Sequence, residues 1–185
     1  MINAVLVFNN KGERRLTKFY THLDTSTQQR LISEIFTLVA NRPPSSCNFL
    51  PLPPLLAASS SNSTSPSASN DTPSLITYRH YATLYFIVIS TSTESPLALL
   101  DLIQVFVEAL DRLFPNVCEL DLTYNFEALH ACLGELILGG LVTETTLDSV
   151  VQEVERRLEV AKKSEGGLRK VTGGAGLGAG VWTGR

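Results

Sequence analysis

The sequence predicts an α+β fold in which a small antiparallel sheet is covered by helices on both faces. Three observations predict it. Ile2-Asn3-Ala4-Val5-Leu6-Val7-Phe8 and Leu84-Tyr85-Phe86-Ile87-Val88-Ile89 are apolar on both alternating faces, the pattern of central strands buried on two sides. Each lies a short turn away from a more polar strand-like run, which makes the neighbours antiparallel hairpins. The remaining ordered segments place apolar residues at helical spacing.

The elements follow in order. After the first strand, Asn9-Asn10-Lys11-Gly12-Glu13 is a turn signal leading into the strand Arg14–Tyr20. A helix follows: Asp24–Ser26 offers N-cap candidates, Ser26 with Gln29 fits a capping box, and Leu31, Ile32, Ile35, Phe36 and Val39 form its apolar stripe. Arg42-Pro43-Pro44 stops it. Cys47–Leu50 reads as a brief strand, and prolines 51, 53 and 54 then remove ladder donors. Ala57–Pro73 holds seven serines, one charge and no aromatic residue, too little apolar area to offset the entropy of ordering. The reading is a disordered insertion at about 51–73, which a host fold tolerates because loop-closure entropy grows only logarithmically with length.

Ser74–Tyr81 and Leu84–Ile89 make a second hairpin across Ala82-Thr83. Ser95-Pro96 caps a helix over Leu97–Leu113, whose apolar arc is wider than one sheet contact needs. Val117–Leu122 reads either as an extended link or as a first helical turn. Phe126–Leu138 carries Phe126, Leu129, Leu133, Leu136 and Ile137 at helical spacing and is closed by Gly139-Gly140. Thr145 and Thr146 cap a last helix with Leu147, Val150, Val151, Val154 and Leu158 on one stripe. The domain therefore spans 1–163, and 164–185 is a flexible Gly-rich tail.

Composition narrows the function. Fifteen Lys and Arg against 18 Asp and Glu leave a net charge of −3 in 185 residues, which argues against a nucleic-acid footprint. Charged residues are only 18% of the chain and apolar ones 44%, enough for a core with apolar surface left over for other chains to bury. Three scattered cysteines give neither a disulfide framework nor a CxxC metal pair; they read as inert core thiols of a cytosolic protein. No apolar run approaches the ~20 residues of a membrane span, and Ile2–Phe8 lacks the marks of a signal peptide.

Enzyme chemistry finds little support. Gly174–Ala179 satisfies GxGxx(G/A), but no strand precedes it and no acidic ribose partner follows. His22, His80 and His130 stand at no ligand spacing, and no nucleophile–base pair is visible. No cofactor is implied. Arg14 and Arg15, adjacent on a strand, point to opposite faces; the plain reading is solvated edge charge, the functional one an anchor for a carboxylate on a bound peptide.

Several blocks together carry a family resemblance. Phe8-Asn9-Asn10-Lys11-Gly12, Arg15–Tyr20, Tyr78–Phe86, Leu100–Glu108 and Asn116–Leu122 stand in the order found in the sigma (small) subunits of the heterotetrameric adaptor-protein complexes. The chain resembles that family over about Met1–Val160, apart from the serine-rich insertion, and most resembles the sigma subunit of complex 3. Thr123–Glu127 leans towards the sibling complexes, and the Gly-rich tail has no counterpart.

The resemblance implies a longin-like domain with a five-stranded antiparallel sheet, no catalysis, and assembly with two large chains and a medium chain. It implies vesicle transport from Golgi and endosomes to lysosome or vacuole. The subunit is then cytoplasmic and reaches membranes only through its complex. Sibling sigma subunits receive acidic dileucine signals, [D/E]xxxL[L/I], on the cytosolic tails of membrane proteins. Carried over by position, Ala82, Leu84, Val107, Asn116, Val117 and Leu122 line the leucine pocket, and Arg15 faces the acidic residue, helped by a basic residue of a large chain. Taken singly, Leu84, Val107 and Val117 read as plain core. The rival readings are a stand-alone longin-type scaffold for small GTPases and a small cytosolic enzyme with a dispersed site.

Overall fold

A computed structural model describes residues 1–43, 45–52, 73–115 and 117–172, with the side chains of 73–74 and 164–172 left aside. The two-sided apolar strands are neighbours at its centre. β1 (Ile2–Asn9) pairs antiparallel with β2 (Arg14–Phe19) on one side and with β5 (Leu84–Thr91) on the other. β4 (Pro73–Tyr81) follows, with β3 (Phe49–Pro51) at the far edge, so the order is β2-β1-β5-β4-β3. Pro51, which cannot donate to a ladder, sits on that edge strand, where its missing N–H does least harm.

Both faces of the sheet are covered, as the pattern of β1 and β5 requires. On one face Ala4, Leu6, Phe8, Ile87 and Ile89 pack against α1 (Thr25–Ala40) through Leu31, Ile32, Ile35 and Val39. On the other, Val5, Val7, Phe86 and Val88 meet α2 (Pro96–Leu113), α4 (Phe126–Leu136) and α5 (Leu147–Thr172). Between α2 and α4 lies the short α3 (Glu119–Tyr124), which resolves the ambiguous Val117–Leu122 stretch in favour of a helix.

Local differences from the sequence reading have physical causes. The cap of α1 is Asp24, whose carboxylate accepts from the Ser26 N–H, so the Ser26–Gln29 capping box is not used. Phe126, expected in an apolar stripe, is exposed at the first position of α4. That helix stops at Leu136, and Gly139-Gly140 is not its cap. The glycines turn a two-residue hairpin between β6 (Ile137–Leu138) and β7 (Leu141–Val142). Their φ angles of +60° and +84° are what such a tight turn demands at both central positions. The last helix runs on to Thr172, past the expected domain end at 163. The Ser-rich insertion lies almost wholly outside the described residues, and so does the chain beyond 172.

The cysteines also divide. Cys47 and Cys118 are exposed and only Cys132 is buried, so the inert-thiol reading fits one of three. Burial pushes the Cys132 thiol up to about 12, with Glu135 adding to the shift. In the native protein Cys132 is therefore expected to resist iodoacetamide at pH 8 and to react once denatured, which peptide mass mapping reads directly; labelling at the rate of Cys47 counts against the packing.

Candidate functional site

The register of the first hairpin aims the key arginine. Val7 pairs with Leu16 and Phe8 with Arg14, so Arg15 is the extra residue of a β-bulge and has no partner across the ladder. A bulge re-aims its side chain. Arg14 is left exposed, while the Arg15 side chain turns against the body and keeps 21% of its exposure.

There it meets two carboxylates. Arg15 donates from Nε and Nη2 to Glu119 Oε1 at 2.9 and 2.5 Å, and from Nη2 to Glu13 Oε2 at 2.7 Å. Asn9 organises the same atoms from behind: its Nδ2 donates to Glu13 Oε2 at 2.8 Å and to Glu119 Oε1 at 2.9 Å. Its Oδ1 accepts the Lys11 and Glu13 backbone N–H groups, closing the β1–β2 turn. Hydrogen bonds from Asn9, and then from Arg15, hold the Glu119 carboxyl below the usual carboxylate range. A depressed value means the ion pair is complete at neutral pH. It is lost only as pH falls through that lowered pKa.

Glu119 opens α3, and the helix is set by its cap. Asp121 Oδ2 accepts the Cys118 backbone N–H at 2.9 Å, closing a capping box with the Cys118 side chain. Leu122 lies three residues beyond Glu119, on the same side of the helix, and is 1% exposed.

Among the described residues, the positions carried over by resemblance for a leucine pocket fall into three groups. Leu84, at the start of β5, and Leu122 are buried in the core cluster beneath α2, α4 and α5. Val107 on α2 and Val117 in the α2–α3 link are half-buried and pack against that cluster. Ala82 is exposed at the β4–β5 turn with φ +51°, a left-handed conformation that an alanine adopts at a cost of about 1 kcal/mol. Asn116 lies outside the described residues. Leu84, Val107, Val117 and Leu122 thus share one apolar body, with Arg15 tied to it through α3. Of the histidines, His80 stacks on Tyr85 with centroids 4.3 Å apart and meets Asn10, a surface arrangement.

Sequence reasoning missed Glu13 and Glu119 as Arg15's partners, and Asn9 as the amide that holds both carboxylates. The available signal was Asn9 itself, an amide closing the apolar run Ala4–Phe8.

The profile of the clathrin adaptor complex small chain matches residues 1–161. The chain belongs to the clathrin adaptor small chain family. Among family members, the AP-3 complex subunit sigma of Schizosaccharomyces pombe is 49% identical over 164 residues, covering 89% of this chain and 90% of that protein. The human AP-3 complex subunit sigma-2 is 45% identical over 170 residues, covering 91% and 80%. A chain from a homology model of the full-length AP-3 complex in a stretched open conformation superposes with a TM-score of 0.65 at 40% identity, covering 90% of this chain and 98% of that one. The small-chain fold is therefore the α+β arrangement described above, with its five-stranded antiparallel sheet.

Proposed function

We propose that the chain acts in vesicle trafficking as the small subunit of a type 3 adaptor complex, a non-enzymatic role. It packs beside two large chains and one medium chain, and it contributes to the binding of [D/E]xxxL[L/I] signals on cargo tails. Membrane contact is indirect, on Golgi, endosomal and transport-vesicle surfaces.

One observation supports the binding role: Leu84 and Leu122 belong to one core cluster, the half-buried Val107 and Val117 pack against it, and the adjoining α3 grips Arg15. Two leucines resting on those half-buried valines gain about 25 cal/mol for each Å² withdrawn from water. Ordering an extended tail returns much of that gain, so binding is micromolar and reversible. Apolar surface elsewhere supports a subunit role. Tyr124 is 77% exposed and Leu138 68%, more than a solitary domain needs to show.

Purification of the tagged protein from its host is the first test. Two large chains and a medium chain are expected to accompany it; recovery as a lone monomer, or with a small GTPase alone, overturns the reading. In the assembled core, Leu84→Ser is expected to weaken binding of a dileucine peptide about tenfold, with assembly checked first because Leu84 is buried. Unchanged affinity removes the pocket and leaves the subunit role standing.

A further inference from the structure

We propose that Glu119 is a built-in rival for the acidic residue of an incoming signal, making this subunit tolerant of dileucine segments that lack the acid. The proposal rests on the dileucine reading above and deepens it.

A guanidinium offers its N–H groups in a fixed fork, and a carboxylate binds best along one edge. In this chain the Nε–Nη2 edge of Arg15 is already taken, by Glu119 through both nitrogens and by Glu13 through Nη2. Charge gives the same answer. Arg15 and Lys11 supply two positive charges, and Glu13 and Glu119 two negative, so a further carboxylate enters a neutral cluster. Neither internal carboxylate bonds Nη1, so an incoming acid can meet that nitrogen, but the two-point contact along the Nε–Nη2 edge is denied to it until one internal carboxylate withdraws.

Withdrawal is feasible for Glu119. Its side chain is 26% exposed at the first position of a six-residue helix. Asn9 Nδ2, which holds both carboxylates, still keeps Glu13 when Glu119 leaves. A signal's acid therefore exchanges one Arg15 partner for another of the same kind, with little net gain. The leucines, resting on Val107 and Val117, provide most of the affinity.

A rival and a brace make opposite forecasts. If Glu119 only orients Arg15, removing its charge weakens acidic peptides; if it competes, the same change strengthens them. The assembled complex is titrated with two fluorescent peptides that differ only in Glu or Gln at the acidic position. In the wild type the two are expected to bind within about threefold of each other. Glu119→Gln keeps the shape of the side chain and is expected to tighten the Glu peptide roughly fivefold, leaving the Gln peptide unchanged and losing the gain in high salt.

Glu13→Gln, in the exposed β1–β2 link rather than within α3, is expected to act in the same direction by about twofold, so the idea stays testable even if the Glu119 variant assembles poorly. Weaker or unchanged binding of the Glu peptide in both variants, with both peptides still bound, overturns the rivalry and spares the site. Loss of the Gln peptide alone overturns the rivalry and spares the site; if neither peptide binds any version, the site and the rivalry fall together.

Discussion

Gly140→Val is expected to lower the melting temperature of the purified protein by roughly 8 °C or more, at about 2–4 °C per kcal/mol for a chain of this size. Two penalties add. Gly140 has φ +84°, where a β-branched residue is strained by about 1–2 kcal/mol, and a Cβ there would lie 2.4 Å from the Ile2 carbonyl oxygen. That oxygen belongs to backbone and cannot swing aside. The same glycine's carbonyl accepts the Ile2 N–H at 2.8 Å, so any retreat of the hairpin also breaks the bond fastening it to β1. The neighbouring glycine separates the two causes. Gly139 has φ +60° but open space around its Cβ position, so Gly139→Ala should show the backbone strain alone, about 1 kcal/mol. Equal losses at both positions would mean that the hairpin does not press on β1.

The second large effect lies at the candidate site. Val107→Asp in the assembled complex is expected to weaken dileucine-peptide binding at least thirtyfold, about 2 kcal/mol. The valine is half-buried against the core cluster, so it forms a surface that a leucine can cover. Covering a carboxylate with a leucine strips its water without supplying a partner, which costs several kcal/mol. Val107→Ala provides the control: it removes a little apolar area, leaves no charge, and should cost only a few-fold. Binding of equal strength in the Asp variant, with the complex intact, would place the leucines elsewhere.

Most of the fold was legible because it rests on local pattern. Strands apolar on both faces must be central, and β1 and β5 are. The stripes of Leu31–Val39 and of Val150–Val154 name the buried faces of their helices. What was misread concerns the choice among adjacent cues. Asp24 outcompetes Ser26 for one cap, and a glycine pair serves a hairpin as readily as a helix end. The positions proposed for the leucines came from family resemblance, and their exposure could not be read from it: Leu84 and Leu122 are buried, while Ala82 is exposed. The occupied state of Arg15 was illegible in principle. Its partner Glu119 lies 104 residues away, and only the bulge in β2, a matter of register, turns the side chain towards it.

The far edge of the sheet has a practical use. Pro51 pairs with Leu75 across the β3–β4 ladder, so the two ends of the intervening segment are held about 5 Å apart, whatever its length. That junction behaves like a socket: the scaffold is blind to how much chain hangs between its two prongs. A fluorescent reporter or affinity handle spliced there would sit at the opposite edge of the sheet from Arg15.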